Sequence, residues 1–223
     1  MSKQESEQRI VSREIWQAQS ALLVAIALQV LVWRINNELL VGPQYVIIPV
    51  EIMLSIFIGL SLVSNRWSFR RLNHTLSLGL LALISLANIS SLALVLQSLI
   101  IGHSAISGAE LLSSAIAIFI TNIIIFSLWY WEIDSPHLTR KRWSKADKDF
   151  QFTQQDMAHE FPRWQPGFID YLFLSVTNAV NFAPSDARPL THAAKMLMGA
   201  QALVSVFTLA LVIARSVNIL GMG

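Results

Sequence analysis

Apolar residues run along this chain in long unbroken blocks separated by short polar breaks. An apolar block of about 18 or more residues is long enough to cross a hydrocarbon core of about 30 Å as a helix. Five blocks meet that requirement: Trp16 to Trp33, Tyr45 to Ser64, Leu76 to Ile101, Leu111 to Trp131 and Leu190 to Leu220. Asn36, Asn37 and the pair Gly42-Pro43 separate the first two, and a basic connector with Arg66, Arg70, Arg71 and His74 separates the next two. The fourth block ends in Trp129-Tyr130-Trp131, the aromatic belt of a headgroup interface.

A sixth block, Phe168 to Phe182, is too short. Fifteen helical residues reach only about 22 Å, and Ser175, Thr177, Asn178 and Asn181 turn its second half polar before Pro184 breaks it. A short helix, a polar break and a full-length helix have the outline of a re-entrant hairpin. Irregular backbone survives at membrane depth only where protein or a water-filled cavity shields it. The fold class predicted is therefore all-α: a polytopic membrane helical bundle of five spanning helices plus one short re-entrant segment. It divides into residues 1–131 (tail and four-helix bundle), 132–167 (a polar surface loop) and 168–223 (the hairpin and last span).

Composition agrees with this reading. The chain is 54% hydrophobic and 13% charged, where soluble domains carry about 25% charged residues. Its net charge of +2 is too small for a nucleic-acid surface and reads as orientation charge. Lys and Arg in short loops mark the cytoplasmic side. Lys3, Arg9 and Arg13, then Arg66, Arg70 and Arg71, place the N-terminus in the cytoplasm of a cell (inner) membrane protein. Arg140, Lys141, Arg142, Lys145 and Lys148 put the 132–167 loop on the same side, Arg34 being the exception. That loop carries six basic and six acidic side chains. Its Lys141–Lys148 cluster fits anionic lipid as well as simple orientation charge.

The chain has no cysteine, which removes disulfides, thiolate metal sites and cysteine nucleophiles. His74, His103, His137, His159 and His192 lie in separate loops and ends without metal-ligand spacing. No nucleophile elbow, phosphate-binding loop or zinc-protease motif appears. No enzyme, cofactor or metal is predicted. The candidate residues are polar groups inside the apolar blocks. Glu51 and Arg215 are either wetted near the interface and snorkelling, respectively, or joined as an intramembrane ion pair. Asn88 and Asn122 are candidates for interhelical hydrogen bonds. Thr177, Asn178, Asn181 and Asp186 either line a polar constriction or end the short helix.

The run Tyr171-Leu172-Phe173-Leu174-Ser175-Val176-Thr177, a short break, Asp186 and a long helix resembles the pore helix and inner helix of tetrameric cation channels over about the last fifty residues. The segment Val180-Asn181-Phe182-Ala183-Pro184-Ser185-Asp186 lacks the glycines of a potassium filter. The charge count sets the hairpin on the cytoplasmic side, whereas a potassium-channel pore helix enters from outside. An inverted pore, as in glutamate-receptor channels, and a misleading charge count are the two ways to reconcile them. Leu86-Ala87-Asn88, Thr121-Asn122-Ile123-Ile124, Trp129-Tyr130-Trp131-Glu132 and Phe168 to Leu174 are similar to a family of uncharacterised bacterial multi-pass membrane proteins, as are Phe182 to Asp186 and Arg215-Ser216-Val217-Asn218. That resemblance implies a fold and no activity.

The functional expectation is an integral membrane protein of channel-like or transport-related type. Its partners would be the lipid bilayer, further copies in a homo-oligomer and a small ion, with no nucleic acid, and the C-terminal hairpin would form the oligomer axis. The alternative is a non-transporting scaffold or accessory subunit that docks a partner through 132–167.

Overall fold

The computed structural model describes residues 3–35, 49–50, 52–53, 70–101, 108–134, 148–162, 164–181 and 187–220. It is helical almost throughout: α1 Lys3–Ile35, α2 Arg70–Ile101, α3 Gly108–Asp134, the single turn α4 Thr153–Asp156, α5 Phe168–Asn181 and α6 His192–Leu220. Two short strands, β1 Phe150–Phe152 and β2 Ala187–Pro189, pair antiparallel in the register Phe150↔Pro189, Gln151↔Arg188, Phe152↔Ala187. The second predicted block, Tyr45 to Ser64, lies outside the described residues except for Pro49, Val50, Ile52 and Met53, which are helical.

Among the described residues, three helical stretches are long and apolar enough to cross a membrane: Leu76–Gln97, Ala109–Asp134 and His192–Ala214. The apolar part of α1, Trp16–Val32, is shorter. The helices overrun the predicted apolar blocks, because a helix begun in an apolar block continues while polar residues can still close backbone bonds. Thus α1 takes in the charged stretch from Lys3, and α3 runs on through Glu132 to Asp134.

α3 is the central helix, packed by α6, α1, α5 and α2. Two apolar clusters divide the bundle along its length. The first joins Leu22, Ala25 and Ile26 of α1 to Leu80 and Ile84 of α2, Ile125 and Trp131 of α3, and Met198 of α6. The second joins Val32, Leu92, Leu111, Ile118 and Leu211. The order of these numbers fixes direction: α1, α2 and α6 run from the first cluster to the second, and α3 runs back. Val32 at the end of α1 and Leu76 near the start of α2 belong to opposite ends.

The β-ribbon closes the first end. Phe150, Phe152 and Ala187 turn inward and are buried, while Gln151 and Arg188 alternate outward, the period-two pattern of a strand with one covered face. Phe150 packs edge-on to Tyr130 at 5.2 Å between ring centres, and Phe152 edge-on to Tyr171 at 5.3 Å. The outer face is tied by polar contacts, Lys148 to Gln151 and Arg188 to Asp156.

Candidate functional site: a buried polar cluster between α3, α5 and α6

The start of α5 is held by a capping hydrogen bond. The Gly167 N–H donates to the Asp170 carboxylate at 2.7 Å and so starts the helix, and an acid in the first turn also suits the helix dipole. β1 and β2 flank α5 in sequence and pair with each other, so the chain leaves the ribbon at Phe152 and is back at Ala187. From Asn181 to Ala187 the chain reaches at most about 21 Å at 3.3–3.6 Å per residue. α5 itself, with 14 residues, is about 21 Å long.

The helix is amphipathic in the sense opposite to a soluble protein. Ile169, Phe173, Val176 and Val180 point outward, between 37% and 55% exposed. Ser175, Thr177 and Asn178 are buried with Tyr171 and Leu174. A stripe of apolar side chains facing out and polar ones facing in fits a helix bathed in hydrocarbon.

The inward polar groups meet Tyr130 of α3 and Gln201 of α6. The Tyr130 hydroxyl donates to Gln201 Oε1. Asn178 Nδ2 donates to Gln201 Oε1 at 2.8 Å, to the Met198 carbonyl at 3.0 Å and, more weakly, to the Tyr130 oxygen at 3.3 Å. Gln201 Nε2 donates to Ser175 Oγ at 2.7 Å and to the Ser175 carbonyl at 3.0 Å, and the Ser175 hydroxyl donates in turn to the Ile123 carbonyl at 2.7 Å. All four side chains are buried. The cluster is neutral and holds α5 between two long helices. It contains no acid, base or nucleophile poised for chemistry.

A second knot joins α5, α3 and the ribbon. The Asp134 carboxylate accepts from the Tyr171 hydroxyl at 2.6 Å, from the Phe150 N–H at 3.1 Å and from the Asp149 N–H. Leu190 N donates to the Asp149 carbonyl at 2.8 Å. Thr191 caps α6 by accepting from the Ala194 N–H at 3.2 Å, and its hydroxyl reaches Asp149. The end of α3 and the start of α6 therefore meet at Asp149, the residue that precedes β1.

The candidate polar residues named from sequence are dispersed. Asn178 belongs to the buried cluster. The Thr177 hydroxyl turns back to its own helix, to the Phe173 and Leu174 carbonyls at 3.1 and 3.0 Å. Asn181, the last residue of α5, is exposed. Asn122 Nδ2 donates to Ser205 Oγ of α6 at 3.1 Å, and Asn88 is buried on α2. Asp186 and Glu51 lie outside the described residues, as does the side chain of Arg215. No group of three His, Cys, Asp or Glu able to hold a metal occurs among the described residues.

Sequence reasoning missed Gln201 and Asp134, read Tyr130 as part of an aromatic belt, and noted Ser175 only as a polar residue of the short helix. One signal was available. Gln201, Ser205 and Thr208 recur at helical spacing within an otherwise apolar span, and all three are fully buried. Pattern reading scored that span by its hydropathy and passed over the stripe. No protein-family model, curated protein or solved structure matches the chain.

Proposed function

We propose that this chain is a non-transporting membrane scaffold or accessory subunit. Its protomer is a closed body with five crossings and one re-entrant helix, and it presents the ribbon cap, residues 148–162 and 187–191, to the aqueous phase. The observation that carries the reading is the pairing of Phe152 with Ala187 over a plug of buried Phe150, Phe152, Tyr130 and Tyr171. A ribbon that brings both flanks of α5 to one end supports a helix that dips and returns, since about 21 Å falls short of a core of about 30 Å. The outward apolar stripe of α5 supports its lying in lipid.

The direction of the helices supports five crossings. Val32 and Leu76 pack at opposite ends of the bundle, and the apolar block predicted between them from sequence, Tyr45 to Ser64, would supply the fifth crossing. With the ribbon end in the cytoplasm, Lys3, Arg9, Arg13, Arg70 and Arg71 gather on that side, as short-loop charges prefer.

One observation favours the channel-like reading as a second possibility. Asn181 is exposed at the end of α5, where several copies around an axis would bring it into a shared path. Reconstitution decides between the two. Purified protein in liposomes passes no small ion if the scaffold reading holds. Ion flux that disappears with Asn181→Leu would replace it with the oligomeric channel.

A further inference from the structure

Between its two apolar clusters the bundle carries a polar stratum. On α1, Gln29 falls between Ile26 of the first cluster and Val32 of the second, and its neighbour Leu28 packs against both. On α2, Asn88 falls between Ile84 and Leu92, and on α3, Thr121 falls between Ile125 and Ile118. Thr121 is near the midpoint of the span Ala109–Asp134, so the stratum lies deep in the hydrocarbon.

The stratum has two sides. Toward α6 it is closed by the Asn122–Ser205 hydrogen bond. Toward α1 and α2 it leaves two buried polar atoms unpartnered. Gln29 Nε2 donates to the Ile84 carbonyl at 3.2 Å. A helical carbonyl points toward the residue four further on, so the Gln29 amide lies beside Asn88. The other end of that amide, Oε1, is buried without a hydrogen-bond partner among the described residues, and so is Thr121 Oγ1. Thr121 is 1% exposed. A helical threonine usually satisfies its hydroxyl on the carbonyl one turn back, as Thr208 does on Val204 at 2.7 Å.

An acceptor and a hydroxyl on facing helices, with an amide beside them, are the two to four polar groups that hold an internal water. We propose that the α1–α2–α3 seam is a hydration site in mid-membrane. There, water accepts the Thr121 proton and donates to Gln29 Oε1, with Asn88 flanking it. Apolar residues surround the stratum above and below, so the water is isolated from both faces and forms a polar joint between α1–α2 and α3. The site is independent of α5 and of the scaffold reading.

Hydroxyl-radical labelling tests it in the full chain, embedded in lipid nanodiscs, because radiolysis forms radicals wherever water is held. Ile84, Ile118 and Ile125 are the cluster residues one helical turn from Asn88 and Thr121, and each is at most 1% exposed. They are expected to be oxidised, whereas Val95, equally buried within the second cluster, is not. Thr121→Val with Gln29→Leu abolishes that labelling, and Thr121→Ser keeps it. The proposal is overturned if the three isoleucines stay as unlabelled as Val95 in the unmodified chain. It is equally overturned if their labelling survives in Thr121→Val. The unmodified chain and the single variants decide the matter should the double variant fail to fold.

Discussion

Replacing Gln201 with Leu should destabilise the bundle by more than its change in size allows, and mostly through Tyr130. Leucine removes an acceptor used by Tyr130 and Asn178 and a donor used by Ser175. Asn178 keeps the Met198 carbonyl, and Ser175 keeps its bond to Ile123. The Tyr130 hydroxyl is left without an acceptor in a site where the residue is 0% exposed. An orphaned buried group costs about 1–3 kcal/mol, and single hydrogen bonds between membrane helices are worth about 0.6 kcal/mol on average. Gln201→Leu is therefore expected to cost about 2–3 kcal/mol. Tyr130→Phe costs about 1 kcal/mol by itself, because Gln201 Oε1 still accepts from Asn178. In the double variant the orphan no longer exists, so its cost stays about 1 kcal/mol or more below the sum of the singles. Reversible unfolding in mixed micelles, followed by tryptophan fluorescence or far-UV dichroism, measures the four corners of the cycle. Additivity within about 0.5 kcal/mol would refute the claim that these two side chains are coupled.

Four further outcomes follow from the same contacts. Asp134→Leu strips the acceptor from Tyr171 and from two backbone N–H groups; with about 1–3 kcal/mol for each orphaned donor, the ribbon detaches, and limited proteolysis within 148–162 should accelerate severalfold. The chain is free of cysteine, so single cysteines at 157 and 190, both exposed, should react with a membrane-impermeant maleimide from the same face, with 173 protected; labelling of 157 and 190 from opposite faces would end the re-entrant reading. Asn122→Leu should cost about 0.6–2 kcal/mol through loss of the bond to Ser205, read as a lower midpoint in the same unfolding assay. Arg188→Ala breaks an ion pair whose side chains are 70% and 43% exposed, and the midpoint should barely move, by at most about 0.5 kcal/mol equivalent.

Three of the five predicted spans were legible because hydropathy is a sum over some twenty residues, and a sum tolerates a few polar members. Leu76–Gln97 and Ala109–Asp134 fall almost where the apolar blocks at Leu76 and Leu111 put them. The ribbon was not legible. Phe150-Gln151-Phe152 and Ala187-Arg188-Pro189 are three residues each, too short for alternation to rise above chance, and their pairing is set by the packing of Phe150 and Phe152 on Tyr130 and Tyr171. The polar cluster was half legible. Asn178 stood out as a polar residue at the deep end of a short helix, but its partners Tyr130 and Gln201 are 48 and 23 residues away in the chain. Only the antiparallel run of α3 against α6 brings them together. Tyr130 read as part of an aromatic belt. Its hydroxyl instead faces the protein, since a buried tyrosine seeks a partner for its O–H.

The inverted pattern of α5 bears on how the ribbon and the polar cluster depend on each other. In water, a helix with Ile169, Phe173, Val176 and Val180 outside would expose apolar surface and gain nothing from turning Asn178 inward. In lipid, the same helix leaves those four side chains in a medium as apolar as themselves, and the orientation is held by polar contacts, those of Asn178 and Ser175 with Gln201 and that of Tyr171 with Asp134. Association in a bilayer lacks a hydrophobic drive and rests on packing and polar contacts. A helix of 14 residues has few of either. The three-residue ribbon supplies what is missing: it closes the loop from Phe152 to Ala187 and so lowers the entropy lost when α5 docks, a loss that grows with the logarithm of loop length. Weakening the ribbon should therefore loosen α5 even though β1 and β2 never touch Asn178. A cysteine at 173 that becomes reactive in Leu190→Pro, which removes the Leu190 N–H bond to Asp149 and leaves Tyr171, Asn178 and Gln201 intact, would show that coupling. Protection unchanged in a variant whose ribbon is already cut by protease would mean the polar cluster holds α5 without help.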